Sequence, residues 1–288
     1  MTTTAERPIN ILVTLDSNYI LPLKILLTSL FLNNPGETFS IFLLHSSLDE
    51  NEIADLSAFS RSFGQSLIPI RIGESDFADA PVVLHYTKAM YYRLLAFKYL
   101  PEFLDRVLYL DPDTLVINPI RPLYDLEMGD HLYAAAYHDL PARSDFNKLR
   151  LYPYPIQAYY NSGVLLMNLE LQRRDVSPNE IFEFVRRNRA KLIMPDQDVL
   201  NALYARRIQS VDEKIFNFDV RFHRYYRLMT NGDCDMDYIM TNTIILHFCG
   251  KKKPWKSGYS GLFLPLYKHY QRLSAIRLRL RQPSLATT

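Results

Sequence analysis

From Ile9 to Ile72 the chain alternates strand and helix patterns, and that alternation restricts the fold more than any other feature. Ile9–Leu15 is rich in β-branched residues and stops at the polar turn Asp16-Ser17-Asn18-Tyr19. Pro22 opens a helical segment, Leu23 to Leu32, closed by Asn33-Asn34-Pro35-Gly36. Phe39–Leu44 reads as a second strand, Asp49 begins a helix through Phe63, and Leu67–Ile72 makes a third strand. Strand, helix, strand, helix, strand at this spacing predicts a parallel sheet wound by right-handed crossovers. Such sheets take ligands beyond the carboxyl ends of their strands. No Gly-x-Gly-x-x-Gly follows the first strand, so any nucleotide must be held by other means.

A second feature marks where chemistry would sit. Val107-Leu108-Tyr109-Leu110 is a run of buried-strand type that ends in Asp111-Pro112-Asp113. Pro112 cannot donate a ladder hydrogen bond, so the strand stops and leaves two carboxylates at its carboxyl end. Close carboxylates repel unless a cation lies between them, and a hard divalent ion shared with phosphates is the simplest partner. The same tripeptide is also ordinary turn chemistry. Four apolar residues before Asp-x-Asp-Thr-Leu further resemble the first motif of haloacid-dehalogenase-like phosphatases, and Gly232-Asp233-Cys234-Asp235-Met236-Asp237 resembles a later one. Against that reading, the Asp pair lies far from the amino terminus, and Arg227 to Asn231 looks like a surface turn rather than an apolar strand.

Further along, Thr87 can cap a helix from Lys88 to Leu100, on which Arg93 shares a stripe with Ala89, Ala96 and Leu100. An arginine there either snorkels or clamps a phosphate or carboxylate. Leu132–Tyr137 reads as a strand ending at His138-Asp139. Leu140 to Tyr159 lacks clear periodicity and reads as a long loop covering a site. Asn161-Ser162-Gly163 leads into the apolar run Val164–Leu169, and Ser177-Pro178-Asn179-Glu180 starts a helix to Asn188. Asp196, Gln197 and Asp198 precede another helix, whose dipole alone would favour acidic residues. Thr243–Leu246 is a last strand, followed by His247-Phe248-Cys249-Gly250 and three lysines; a bare backbone flanked by cations suits a diphosphate.

The length of 288 residues, with 48% apolar, suits one large domain or two closely packed ones. A net charge of +2 argues against a general nucleic-acid binder. Two cysteines, Cys234 and Cys249, fit a reducing compartment, and the amino terminus lacks a secretory apolar region, so a cytoplasmic protein is expected. Residues 1–8 are expected to be a flexible amino terminus, 9–265 the catalytic domain, and 266–288 a basic amphipathic tail. In that tail Leu266, Tyr270, Leu273, Ile276 and Leu280 share a stripe interrupted by Arg277 and edged by Lys268, Arg272, Arg279 and Arg281. The pattern suits docking on an anionic membrane surface, the inner face of the plasma membrane, with packing against the domain as the alternative.

Leu110-Asp111-Pro112-Asp113, Asn161-Ser162-Gly163 with the run to Leu169, Asp196-Gln197-Asp198, and His247-Phe248-Cys249-Gly250 followed by Lys253-Pro254-Trp255 occur in the order seen in family 8 glycosyltransferases. The resemblance, to bacterial lipopolysaccharide galactosyl- and glucosyltransferases and more distantly to glycogenin, spans Ile9 to Gly261. It implies an α/β, Rossmann-like nucleotide-sugar glycosyltransferase fold of the A type, with a mixed, mostly parallel sheet flanked by helices. It also implies a metal-dependent, retaining transfer of glucose or galactose from a UDP-sugar to a hydroxyl of a glycan, glycolipid or glycoprotein acceptor. By resemblance, Asp16 and Asn18 recognise uracil and ribose, and Arg93 lies near the donor sugar and diphosphate. Asp111 and Asp113 become the metal-binding pair with His247 as third ligand, a set that favours Mn²⁺ with Mg²⁺ as the alternative. Asn161 and Asp196 hold sugar hydroxyls, Gly250 and Lys253 close on the phosphates, and Asp139 lies near sugar and acceptor. Gln197 matches the far face of the sugar; an amide is a poor nucleophile, which favours front-face attack, with Asp198 as the covalent alternative. Pro112 departs from the commoner aliphatic residue. A non-catalytic UDP-sugar sensor and a self-glycosylating initiator are the rival readings.

Overall fold

The computed structural model describes residues 7–73, 90–137 and 141–279. Its strands, numbered along the chain, are β1 (Ile9–Thr14), β2 (Phe39–His45), β3 (Ser66–Arg71), β4 (Arg106–Leu110), β5 (Thr114–Val116), β6 (Tyr133–Ala135), β7 (Val164–Asn168), β8 (Ile208–Ser210), β9 (Phe218–Asp219) and β10 (Ile245–His247). Among the described residues, seven of them form one sheet in the order β3-β2-β1-β4-β7-β6-β8. Only β7 runs against its neighbours, β4 and β6; every other pairing is parallel. The expected wound sheet is therefore present, mixed and mostly parallel.

Strand periodicity divides the core between the two faces of this sheet. Leu12, Tyr109 and Leu165 join one apolar cluster, with Phe184 and Leu200 from helices packed over them. Ile11, Val13, Leu108 and Leu166 join the other, with Leu27 and Phe59. Covered on both sides, the central strands are apolar at nearly every position. The helix Ile20–Leu32 is apolar all round because it is enclosed: Leu23, Leu26 and Leu30 pack on the large sheet, while Ile25 packs with Leu115 and Leu246 of a second sheet.

That second sheet, in the order β5-β10-β9, positions the site. β5 pairs antiparallel with β10, placing His247 opposite Thr114, and β10 pairs parallel with β9. Only Asp111, Pro112 and Asp113 separate β4 of the large sheet from β5 of the small one. The carboxylates thus occupy the seam between the two sheets.

Two segments differ from their sequence reading. The expected loop from Leu140 contains the helix Pro141–Arg150, which periodicity missed because Phe146 and Leu149 lie exposed instead of forming a buried stripe. The single helix expected to reach Leu100 is a short helix, Met90–Leu94, then a 3-10 turn, Ala96–Lys98. The break lets Ala96, Phe97 and Leu100 bury along with Tyr91, Leu94 and Leu95, more apolar positions than one helical stripe accommodates. The expected Thr87 cap, Lys88 and Asp139 lie outside the described residues, as do Leu280 and Arg281.

The terminal helix Leu264–Arg279 spans the expected boundary at 265 and 266. Tyr267 and Tyr270 are buried, Leu266 and Leu273 pack against the cluster around the small sheet, and the Tyr270 hydroxyl lies 2.7 Å from Asn33 Nδ2, which donates to it. Arg277 stacks 4.6 Å from the Phe63 ring and donates to the Ser62 carbonyl. The stripe expected to face a membrane is thus mostly engaged by the domain, and of its described members only Ile276 is largely exposed. No helix among the described residues is long and apolar enough to cross a membrane. Truncating the fully buried Tyr267 to Ala should cost about 3–5 kcal/mol, as large aromatic deletions do, and urea unfolding followed by circular dichroism reads that loss.

Candidate active site

β4 ends at Leu110, and the Asp111 N–H donates to the Gly163 carbonyl at 2.7 Å, continuing the ladder with β7 by one step. The chain then turns at Pro112, and β5 draws Asp113 under the end of β10. As a result, one ligand atom each from Asp111, Asp113 and His247 lies within 4.8 Å of the others. His247 Nε2 is 3.3 Å from Asp113 Oδ1 and 3.9 Å from Asp111 Oδ2. Asp113 and His247 are buried; Asp111 is half-buried.

The imidazole is held from behind. His247 Nδ1 lies 2.9 Å from Asn217 Oδ1, an acceptor, so Nδ1 carries the proton and Nε2 faces the carboxylates. Asn217 Nδ2 in turn donates to Asn161 Oδ1 at 3.0 Å, and the Gly163 N–H donates to the same oxygen at 2.8 Å. This outer hydrogen bonding fixes ring orientation as metal-site histidines require. Gly163 is needed for a steric reason: a Cβ there would run into the His247 ring and lie 2.6 Å from Asp111 Oδ2.

Three cationic groups balance the carboxylates. The Lys253 ammonium sits on Asp113 Oδ2 and donates to the Phe248 carbonyl at 3.0 Å. Arg93, half-buried and stacked 4.6 Å from the Tyr109 ring, reaches Asp111 at 3.0 Å and Asp196 at 3.2 Å, and donates to the Ser162 carbonyl at 3.1 Å. Burial disfavours a charged Asp113, yet His247 and Lys253 outweigh it and hold its carboxyl well below the usual range. Burial likewise opposes the His247 imidazolium, but Cys249 and Asp113 outweigh it and hold the ring well above its ordinary value. Two carboxylate groups and an imidazole converging on one point fit a divalent ion with mixed oxygen and nitrogen ligation.

Around this centre the other expected residues take distinct places. Arg93 on Asp196, with Ser162 Oγ also donating to Asp196 at 3.0 Å, ties the first turn of the helix Pro195–Tyr204 to the Asp pair. Gln197, in that turn, is buried, and its side chain has no hydrogen-bond partner among the described residues. Asp198 is fully buried and engaged: it accepts from Arg150 at 2.5 and 2.8 Å, from the Tyr159 hydroxyl at 2.5 Å, and from the Ile193 and Met194 N–H groups at 2.8 and 3.1 Å. Asp16 and Asn18 are exposed at the end of β1, where the Asn18 N–H donates to Asp16 Oδ1 at 2.9 Å. Tyr19 of that turn packs edge-on against Trp255, 5.6 Å between ring centroids, so the turn adjoins the Lys253 loop. Gly250 has φ +90°, and a Cβ there would lie 2.7 Å from the Arg221 guanidinium.

Several contributors escaped sequence reading. Asn217 carries no sequence signal, because its role comes from the pairing of β9 with β10. Tyr109, whose hydroxyl donates to Asp111 at 2.6 Å, reads in the sequence as a core strand residue. Arg150 lies in the stretch read as a loop. The decoy Asp235 caps the helix Met236–Asn242 by accepting from the Tyr238 N–H at 2.8 Å, ordinary helix-start chemistry.

Comparison with known proteins identifies the family and the fold. The family profile described as Glycosyl transferase family 8 matches residues 10–258. The chain is 28% identical over 252 residues to a lipopolysaccharide 1,2-glucosyltransferase of Escherichia coli, covering 84% of this chain and 71% of that protein. It is 25% identical over 252 residues to the lipopolysaccharide 1,3-galactosyltransferase of Salmonella typhimurium, covering 86% and 73%. The crystal structure of the galactosyltransferase LgtC with donor and acceptor sugar analogs matches with a TM-score of 0.77 at 26% identity, over 92% of this chain and 96% of that one; an active-site glutamine-to-glutamate mutant of LgtC matches equally.

Replacing Asn217 with Ala should weaken divalent-ion affinity by roughly 10- to 100-fold, the usual effect of losing an outer-shell partner; calorimetric titration with Mn²⁺ measures it. Because the ion-free site favours the protonated imidazole, ion loading should also release a proton. Titrations at pH 7 in buffers of different ionisation enthalpy count that proton, and its release should fade as pH rises through the raised pKa.

Proposed function

The chain belongs to glycosyl transferase family 8 and has its A-type fold, and from that premise we propose a metal-dependent, retaining transfer of glucose or galactose from a UDP-sugar to a hydroxyl of a cell-surface glycan or glycolipid. The convergence of Asp111, Asp113 and His247 beside Arg93 and Lys253 carries this reading. The curated relatives act on lipopolysaccharide with hexoses, which supports that class of donor and acceptor here. Their part in lipopolysaccharide synthesis supports a cytoplasmic protein.

In this reading Asp111, Asp113 and His247 would hold Mn²⁺, with Mg²⁺ as the alternative, against the donor diphosphate. The ion would act as a Lewis acid on the charge that builds on departing UDP. Lys253, released from Asp113, would turn its ammonium to the phosphate oxygens, while Gly250 lets the backbone approach them. Asp16 and Asn18 hold uracil and ribose at the end of β1. Asn161 and Asp196 fix the sugar hydroxyls, Asp196 itself being set by Arg93 and Ser162. Asp139 is assigned to the sugar and acceptor side.

Retention of configuration through a carboxylate nucleophile would fall to Asp198, but its oxygens already accept five donors and no part of it is exposed. A carboxylate so engaged is a weak nucleophile. We assign Asp198 to anchoring the Pro195–Tyr204 helix through Arg150 and Tyr159, and Gln197 to the sugar's far face. The acceptor hydroxyl then attacks from the leaving-group side, and the diphosphate oxygens it replaces take up its proton.

The test is release of UDP from UDP-glucose and UDP-galactose with Mn²⁺. Asp113→Asn should lower turnover by at least roughly 10²- to 10³-fold, the effect of removing one charge-stabilising group. Gln197→Ala should lower it only modestly. Binding without turnover would identify a sensor instead, and equal, complete loss in both variants would contradict these roles.

A further inference from the structure

A cavity of about 1130 Å³ opens between the helix His223–Met229 and the loop after β10. Its lining includes Arg221, His223, Arg224, Arg227, Lys251 and Lys252, and no carboxylate residue lines it. Arg221 is neutralised by the buried Asp219 at 2.5 Å. Arg224, Arg227, Lys251 and Lys252 form no ion pair or side-chain hydrogen bond among the described residues. Several basic side chains elsewhere are paired: Arg121 with Glu37, Arg207 with Asp175, Arg186 with Glu183, and Lys24 with Asp55. Cations of one sign left unpaired around a concave wall repel one another, and low-dielectric walls focus their field on whatever enters. Burial, followed by Arg227 and Arg224, pushes His223 below its ordinary value, a local sign of the same field.

The cavity also adjoins the reaction centre. Cys249 and Gly250, two and three residues after His247, line it, and the Arg221 guanidinium packs against Gly250. Asp219, which holds Arg221, is the ladder partner of His247. The rim is apolar where Leu228 and Leu262 stand exposed. A ligand here would combine negative charge with a less polar body, and its reactive end would lie beside the metal cluster.

We propose that this cavity binds a phosphate group carried by the acceptor, so that the enzyme prefers a phosphorylated glycan over its neutral counterpart. The proposal rests on the transferase reading above. Arginine and lysine side chains suit phosphate oxygens, arginine through its paired N–H groups and lysine as a mobile point charge. Several unpaired cations fit the double charge of a phosphate monoester better than a single carboxylate. Arg224 and Arg227 are exposed and hold neither the metal cluster nor the donor in this reading, so they select acceptor without touching donor chemistry.

The direct test compares binding of a deacylated lipopolysaccharide core oligosaccharide before and after enzymatic removal of its phosphates. The wild-type protein, loaded with UDP and Mn²⁺, should bind the phosphorylated form roughly 10- to 100-fold more tightly, as expected for charge-assisted hydrogen bonds. In the double variant Arg224→Ser/Arg227→Ser that preference should collapse, and transfer to the phosphorylated form should show a raised KM. Acceptor-independent, Mn²⁺-dependent release of UDP should stay unchanged, which also certifies that the variant folds. Equal wild-type affinity for both oligosaccharides overturns the proposal. So does a variant that loses sedimentation with phosphatidylglycerol vesicles yet keeps its preference between oligosaccharides, since the cations would then serve a lipid headgroup. Failure of the transferase reading would show separately, as no UDP release from either UDP-hexose by the wild-type protein.

Discussion

Two carboxylates on a proline-bridged turn repel each other, and the geometry of the site follows from how that repulsion is met. Asp111 finishes the large sheet and Asp113 starts the small one, so neither can retreat from the other without breaking a ladder. Positive groups must therefore come to them. Arg93 arrives from a short helix stacked over Tyr109, Lys253 from the loop after β10, and His247 from the end of β10 itself. The cationic partners come from two distant parts of the chain, the helix of Arg93 and the end of β10 with its following loop, so the cluster needs both sheets in register.

The same arrangement explains why a divalent ion fits. Lys253 on Asp113 is a charge that an ion and a diphosphate could jointly replace. Asn217 keeps the imidazole aimed with Nε2 forward, and Gly163 leaves the space that a side chain would otherwise fill. Asp198, by contrast, is locked by Arg150, Tyr159 and two backbone N–H groups. Neighbouring carboxylates in one helical turn thus differ in purpose. Asp196 faces the charged centre through Arg93, and Asp198 ties the Pro141–Arg150 helix to the fold.

Much of this was legible from residue order. The strands from Ile9 to Arg71 announce themselves by β-branched runs between polar turns, and the structure differs from that reading only at strand ends. Asp111, Asp113, Asp196 and His247 stood out because polar residues abruptly follow apolar strands or open helices. What remained hidden depends on pairing in space. Nothing near Phe218 indicates that β9 would lie beside β10, so Asn217 had no reason to be singled out. Thr114–Val116 is too short to read as a strand, although it brings His247 to the carboxylates. The Pro141–Arg150 helix shows Phe146 and Leu149 to solvent and so lacks the stripe that periodicity detects. The terminal stripe was visible as a pattern, but only the fold reveals that Asn33 and the small-sheet cluster take up most of it.

The central claim is that one divalent ion is gripped jointly by the strand junction and the end of β10. Crystals grown with UDP and MnCl₂, measured at the manganese absorption edge, test it most directly. The account predicts one anomalous peak within bonding distance of carboxylate oxygens of Asp111 and Asp113 and of His247 Nε2. A peak held without His247, or located away from the Asp pair, would contradict it.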